Sequence, residues 1–234
     1  MHISDGIINA PTSAVFGVVA AGGLAFALAK SRAQLDERTA PMAGLVAAFV
    51  FALQLINFPI LPGVSGHLLG GALAAILVGP WLGSLCVGIV LIVQALLFAD
   101  GGLTALGLNI TNMAIIGTAV GFGVALALRP LATRGRQWLI GVAFISAFMN
   151  TVITSLGFVL QYTIGGAAGA SLGAVLISMI GLHALIGIGE GIITALTVGA
   201  VASSRSDLVY LLRGAPQHTR TAAAAQITPQ GSAS

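Results

Sequence analysis

The chain has 234 residues, of which 57% are hydrophobic and only 6% are charged, and its mean hydropathy is +1.05. Soluble domains carry roughly 25% charged residues, so this composition excludes a water-soluble globule. The high hydrophobicity also excludes intrinsic disorder. A single cysteine, Cys86, excludes an internal disulfide and a cysteine-based metal cluster. The composition therefore indicates a polytopic membrane protein.

Seven stretches are apolar enough to be membrane-spanning helices, each of which needs about 20 residues. The apolar run 65–99 is too long for one span, and Gly79-Pro80 is the natural hairpin inside it. Charged, proline-containing or glycine-containing segments separate the other stretches. We therefore predict an all-α fold with seven transmembrane helices, at about 10–29, 40–57, 65–79, 80–99, 107–128, 137–162 and 170–203.

Basic residues mark the cytoplasmic side of a membrane protein. The nine Lys and Arg residues form three groups: Lys30, Arg32 and Arg38; Arg129, Arg134 and Arg136; Arg205, Arg213 and Arg220. Even numbers of predicted helices separate these groups, so all nine charges lie on one face. This places the N-terminus outside and the C-terminus inside, and the net charge of +3 needs no nucleic-acid partner to explain it.

The predicted domain organisation is a single transmembrane domain, 1–204, followed by a disordered cytoplasmic tail, 205–234. The tail after Leu212 has no core-forming pattern. The first twenty residues contain no Lys or Arg, so they do not resemble a secretory signal peptide. We expect Met1 to be the mature first residue, because the bulky His2 disfavours removal of the initiator methionine.

The N-terminal segment 1–9 carries a potential metal chelate. The amine of Met1, the backbone nitrogen of His2 and the His2 imidazole Nδ1 can form consecutive five- and six-membered chelate rings. His67, predicted in the first turn of the third helix and on the same external face, can supply a fourth nitrogen. The positive end of that helix would keep its imidazole neutral. Four nitrogens in a plane suit Ni(II) or Cu(II) and can accept Co(II).

Each of these residues also has a simpler interpretation. An N-terminal Met-His pair occurs by chance in many proteins, and a histidine beside a membrane interface is often a structural hydrogen-bonding residue. What favours the metal site is that Met1, His2 and His67 share one face, where buried polar groups are costly. His183 lies in the last predicted span and His218 in the tail, and the topology places both beyond reach of His2.

Other polar residues lie near the predicted external end of the bundle. Gln94, Asn109 and Asn112 could orient the metal ligands, or could simply form interhelical hydrogen bonds. Asp5 could anchor the N-terminal segment or be a solvated loop carboxylate. His183 and Glu190 are seven residues apart and share a helical face, for which we favour a structural network or coupling to a partner subunit over metal ligation.

Four ordered segments resemble one family: Met1–Gly6, Val64–Gly71, Gln94–Met113 and Gly187–Thr194. They are similar to motifs of the CbiM/NikM family, the nickel/cobalt substrate-binding components of energy-coupling factor ABC transporters. The likeness runs from residue 1 to about residue 202. One departure is Ile7-Ile8, where an aromatic residue and leucine are more usual, and it removes no ligand atom.

The resemblance implies a seven-helix subunit of the cell membrane that binds Ni(II) or Co(II) as transported substrate. Its implied ligands are the Met1 amine, the His2 amide and imidazole, and the His67 imidazole. It implies no catalytic residue and no cofactor. Its implied partners are a transmembrane coupling subunit, cytoplasmic ATPases that supply the energy and a further small membrane subunit.

Two alternatives stay open at this point. Gly63–Gly66 matches the Gly-x-Ser-Gly pattern of intramembrane serine proteases, which would make Ser65 a nucleophile and His183 its base. A secondary transporter driven by an ion gradient would instead import its substrate in cells that lack any coupling ATPase.

Overall fold

The structure, a computed structural model, describes residues 1–37 and 39–214. The principal helices in this part of the chain are α1 Ala10–Ser31, α2 Thr39–Gln54, α3 Gly71–Val78, α4 Pro80–Leu97, α5 Leu106–Ala127, α6 Arg136–Gly165 and α7 Leu172–Arg205. Three short strands accompany them, β1 His2–Ile3, β2 Phe58–Leu61 and β3 Val64–Gly66. The segments 32–34, 129–132, 206–208 and 210–212 form single helical turns.

Five of these helices, α1, α4, α5, α6 and α7, are long and apolar enough to cross a membrane. By contrast, α2 has 16 residues and α3 has only 8. At 1.5 Å per residue α3 extends about 12 Å, which is less than half of the roughly 30 Å hydrocarbon core. The structure therefore shows a multi-pass helical protein in which two of the seven predicted spans are shorter than a membrane is thick.

The distribution of polar and apolar side chains is that of a protein whose solvent is lipid. Ile177 on α7 and Val18 on α1 are large apolar residues with about three quarters of their surface exposed, 75% and 74%. Polar side chains such as Gln54, Asn150 and Glu190 are buried. A water-soluble fold buries its apolar residues and exposes its charges, so this inverted arrangement agrees with the sequence composition.

The predicted third helix, 65–79, is wrong at its start. Helix α3 begins at Gly71, because Gly70 adopts a left-handed conformation (φ +78°) that interrupts helical hydrogen bonding. The preceding residues form β3, which lies between β1 and β2 in a small antiparallel sheet. The fold is thus mostly helical but contains a sheet that the all-α prediction did not include.

The predicted hairpin at Gly79-Pro80 is confirmed. Gly79 ends α3 with φ +92°, and Pro80 begins α4 at the next residue. Proline suits the first turn of a helix because it has no N–H to leave unpaired there. Every residue of α3 is buried, as expected for a helix that is apolar on all sides. It is a central core element that carries the preceding loop 67–70 into the bundle.

The N-terminal segment enters the bundle through strand pairing. His2 pairs with Ser65 and Ile3 pairs with Val64, and Met1, His2 and Ile3 are all buried. Asn9 then caps α1 by accepting a hydrogen bond from the Thr12 N–H (3.0 Å). The first residues of the chain are therefore core residues.

The C-terminal end packs against the bundle as far as it is described. Val209, Leu211 and Leu212 are buried, and the Tyr210 ring lies against Gly79. The proposed division at 204/205 stays a prediction. Residues 215–234, which include His218 and Arg220, lie outside the described residues.

Candidate metal site

Two of the predicted ligands meet in the interior. The Met1 amine and His67 Nε2 are in hydrogen-bond contact, and both residues are completely buried. The other ring nitrogen, His67 Nδ1, donates to the Leu68 carbonyl (2.7 Å). That bond fixes the tautomer in which Nε2 carries the lone pair. The helix-dipole argument for His67 is therefore wrong, because His67 precedes α3 by four residues.

The His2 ring lies beside the His67 ring, with 4.3 Å between the ring centroids. His2 Nδ1 is 2.8 Å from Asp100 Oδ1, and Asp100 Oδ2 accepts a hydrogen bond from Asn57 (3.0 Å). The predicted chelate uses this same Nδ1. A metal ion and Asp100 would therefore compete for one atom of His2, and chelation would require the ring to turn away from Asp100.

Burial favours the uncharged form of all three nitrogen groups. It lowers the pKa of the Met1 amine well below its ordinary value. Burial also lowers the pKa of His67 well below its ordinary value, and the nearby Met1 amine adds to this effect. Burial is also the main cause of the lowered pKa of His2, and it outweighs the opposing effect of the hydrogen bond that Asp100 accepts from the ring. Neutral amines and imidazoles present lone pairs, which is the form in which these groups bind metal ions.

The N-terminal segment is fixed by hydrogen bonds on both sides of Ile3. The Ile3 N–H donates to Asn109 Oδ1 (3.0 Å), and the Ile3 carbonyl accepts from Asn109 Nδ2 (3.2 Å) and from the Gly102 N–H (2.9 Å). Two residues further on, Asp5 Oδ1 accepts from both the N–H and the hydroxyl of Thr104 (2.8 and 2.5 Å). Asp5 is therefore an anchor of the segment, and these bonds lower the pKa of its carboxyl.

The three residues expected to orient the ligands have different surroundings. Asn109 holds Ile3 directly, as described. Gln94 is buried beside His2, where its side chain partly offsets the effect of burial by raising the pKa of the imidazole. Asn112 instead donates to Gln161 Oε1 (2.8 Å) on α6, which is the interhelical hydrogen bond of the simpler interpretation.

His183 and Glu190 on α7 have different hydrogen-bond partners, but both lie near enough to the Met1 amine to interact with it electrostatically. His183 also acts on His67, so it lies closer to the candidate site than the predicted topology placed it. His183 Nδ1 contacts the Met179 carbonyl (2.8 Å), and its Nε2 has no hydrogen-bond partner among the described residues. No hydrogen bond joins it to Ser65 in that part of the chain, so the serine–histidine pair of the protease alternative is not formed. Glu190 accepts hydrogen bonds from the loop that carries His67.

Two residues near the site were missed by sequence reasoning. Asp100 was not proposed as a site residue, although it lies inside the Gln94–Met113 motif. The Met113 sulfur lies 3.4 Å from the Met1 amine. Met113 belongs to a π-helical segment, Ile110–Gly117, inside α5. Such segments occur frequently at functional sites, but nothing in the sequence distinguishes this one.

A family model described as "Cobalt uptake substrate-specific transmembrane region" matches residues 2–208, which is nearly the whole described chain. The chain belongs to the CbiM family. This confirms the resemblance inferred from the four motifs.

Individual relatives agree with this membership. A cobalt transport protein CbiM of Sorangium cellulosum is 30% identical over 219 residues, covering 91% of this chain and 96% of the relative. A fused nickel transport protein NikMN of Rhodobacter capsulatus is 38% identical over 135 residues, covering 58% of this chain and 38% of that protein. A crystal structure of a transition metal transporter has a TM-score of 0.77 at 30% identity, covering 92% of this chain and all of the other.

Proposed function

We propose that this CbiM-family chain is the substrate-binding subunit that captures Ni(II) or Co(II) at the external face of the cell membrane. The observation that carries the proposal is the contact between the Met1 amine and His67 Nε2 in a fully buried site. Removing an amine and an imidazole from water costs desolvation free energy. A pair of apolar side chains would stabilise the fold at this position without that cost, so stability alone does not explain the contact. Two neutral nitrogen donors at one point are what a borderline transition metal requires.

The proposed ligands are the Met1 amine, the His2 backbone nitrogen and Nδ1, and His67 Nε2. Turning the His2 imidazole away from Asp100 would direct Nδ1 toward the other donors. Asp100 would then lie beside the ion as a carboxylate that offsets part of its charge. The transported ion is the substrate, and the four nitrogens do not discriminate nickel from cobalt.

The proposed topology has the N-terminus outside and the C-terminus inside. It is supported by contacts between distant basic groups, since Arg129 donates to the Leu211 and Arg213 carbonyls (3.0 and 2.5 Å). Asp36 and Thr39 line one cavity with Arg213, so the first intracellular loop reaches the same end. Helix α1 separates this end from the metal site.

We further propose that the chain works in an energy-coupling factor transporter, with a transmembrane coupling subunit, cytoplasmic ATPases and a small accessory membrane subunit. On this proposal the chain itself catalyses no reaction. Metal uptake should then require the ATPases. Uptake by this chain alone in cells without any coupling ATPase would instead support a secondary transporter.

Extension of the N-terminus tests the ligand set directly. One glycine placed before Met1 converts the amine into an amide and adds a residue where Met1 has no exposed surface. A structural metal site with four ligands is worth about 10–16 kcal/mol. The loss of one ligand should therefore cost about 3 kcal/mol, or roughly 10²-fold to 10³-fold in affinity.

The matched control is the same chain with a longer extension that a protease removes to leave Met1 first. Calorimetry with Ni(II) should show weak binding before cleavage and tight binding after it. Equal affinity before and after cleavage would rule out the terminal amine as a ligand.

A further inference from the structure

Glu190 on α7 is hydrogen-bonded to the backbone of the loop that carries His67. Its Oε2 accepts from the Leu69 N–H (2.7 Å) and its Oε1 accepts from the Gly70 N–H (2.9 Å). The carboxylate therefore spans two consecutive peptide groups that begin two residues after His67. This contact joins residues 120 and 121 positions apart in the chain.

Two side chains of α6 complete the surroundings of this carboxylate. Asn150 Nδ2 donates to Oε1 (3.1 Å), and the Thr151 hydroxyl lies 2.8 Å from Oε2. All four neighbours are N–H or O–H groups, and Glu190 is 1% exposed. The three N–H groups donate to both carboxyl oxygens, whereas the single Thr151 proton is shared with the Ala147 carbonyl (3.0 Å). A carboxyl group whose two oxygens both accept hydrogen bonds has the pattern of an ionised carboxylate.

The loop that carries His67 also forms a hydrogen bond with α2. Gln54 Nε2 on α2 donates to the Leu69 carbonyl (2.7 Å), so Leu69 is fixed through both its N–H and its C=O. The His67 ring is itself bonded to the Leu68 carbonyl. The position of Nε2 therefore depends directly on the peptide groups that Glu190 and Gln54 hold.

A buried carboxylate is an expensive way to stabilise a helix bundle, since ionised groups are costly at membrane depth and a well-packed apolar residue commonly stabilises as well or better. Stability alone therefore does not account for Glu190. Its hydrogen bonds go to the one loop that presents a proposed ligand, which is where accurate placement is needed.

We propose that Glu190 is a positioning residue for metal binding, which acts by fixing the Leu69–Gly70 backbone and, through it, His67 Nε2. The inference rests on the proposed function, because it assigns Glu190 a role only through a His67 ligand. Glu190 itself contacts no metal. Its effect on affinity should therefore be several-fold smaller when His67 is removed.

The test is a double-mutant cycle of Glu190→Gln and His67→Ala, with Ni(II) affinity measured by calorimetry on the full chain. Glutamine keeps the shape but directs an NH₂ group at one of the two backbone N–H donors. In the His67 background we expect a 10-fold to 100-fold loss of affinity, the usual effect of a residue that orients a metal ligand. In the His67→Ala background Glu190→Gln should cost several-fold less affinity, because only the attraction between its charge and the ion is lost there.

Thr194→Val on α7 is the matched control, because Thr194 is buried one helical turn beyond Glu190. It should leave affinity unchanged in both backgrounds. Should Glu190→Gln fail to fold, Thr151→Val removes a single donor from the carboxylate and should give a smaller loss with the same dependence on His67.

Electron paramagnetic resonance with Cu(II) as probe gives a readout that a merely structural role would not change. Folded Glu190→Gln should show one fewer coordinated nitrogen, as His67→Ala does. An equal loss of affinity with and without His67, or no loss at all, would overturn the inference. Unchanged affinity in His67→Ala alone would instead refute the proposed ligand set.

Discussion

The number of protons released when Ni(II) binds is a sensitive test of the site. If the Met1 amine and the imidazoles of His2 and His67 are already neutral in the empty protein, as burial dictates, only the His2 backbone amide has a proton to lose. We therefore expect about one proton released per ion near pH 7. Affinity should then rise about ten-fold for each unit of pH above 6.5.

The same nitrogens with ordinary pKa values would behave differently. At pH 7 an amine of pKa about 8 is roughly nine-tenths protonated and each imidazole of pKa about 6.5 roughly one-quarter protonated. Binding would then release about 2.4 protons. The hexapeptide Met1–Gly6, which lacks His67 and is fully solvated, should release about two and is the matched control.

Calorimetric titration in buffers of different ionisation enthalpy measures this number, because the observed enthalpy varies linearly with buffer enthalpy and the slope is the proton count. A slope of two or more for the protein would refute the claim that burial neutralises the nitrogens. A slope near zero would show that the His2 amide keeps its proton and is not a ligand.

Three further predictions follow from the seating of the N-terminal segment. A Cβ on Gly102 would lie 2.3 Å from the Asp5 backbone nitrogen, so Gly102→Ala should lower metal affinity at least ten-fold in the same titration. Gly123→Ala, with nothing within 4 Å, should not. Asn109→Ala removes two hydrogen bonds from Ile3. It should reduce the free energy that holds the N-terminal segment in place by about 1–3 kcal/mol, which is measured as faster hydrogen exchange of the Ile3 amide. Because burial lowers the pKa of the amine and both imidazoles, the folded state binds fewer protons than the unfolded one. The N-terminal segment should therefore be most stable above pH 8 and lose stability as pH falls through 8 and then 6.5. Hydrogen-exchange rates of the Ile3 amide, corrected for the intrinsic effect of pH, would measure this loss. Constant protection of the amide across this range would contradict the burial argument.

Features encoded locally were predictable from the sequence. The break at Gly79-Pro80 lies within a single apolar run and uses the two residues that interrupt helices most strongly. The structure confirms it. The sheet was not predictable in this way, because Val64–Gly66 is only three residues long and its partner β1 is about sixty residues away.

The candidate site shows the same limit at the level of single residues. His67 was recognised by its type and its predicted face, but the expected reason for its neutrality was wrong. Burial and the nearby Met1 amine lower its pKa in place of the helix dipole. The bond to the Leu68 carbonyl fixes which ring nitrogen carries the lone pair. Asp100 and Glu190 act over contacts with distant segments, which no local pattern reveals.

The placement of charge bears on how the proposed site would favour a dication over a proton. The proposed nitrogen ligands are neutral before binding, so they impose no charged-group desolvation cost. The negative charges belong to Asp100 and Glu190, and both act electrostatically on the Met1 amine. Their attraction for the single charge of an ammonium is too weak to overcome burial, since the pKa of that amine remains lowered. The same two carboxylates would attract the double charge of a bound metal ion twice as strongly, and the ion would also recover its lost hydration through direct bonds to nitrogen. On the proposed ligand set, the same position would reject a proton and bind a transition metal.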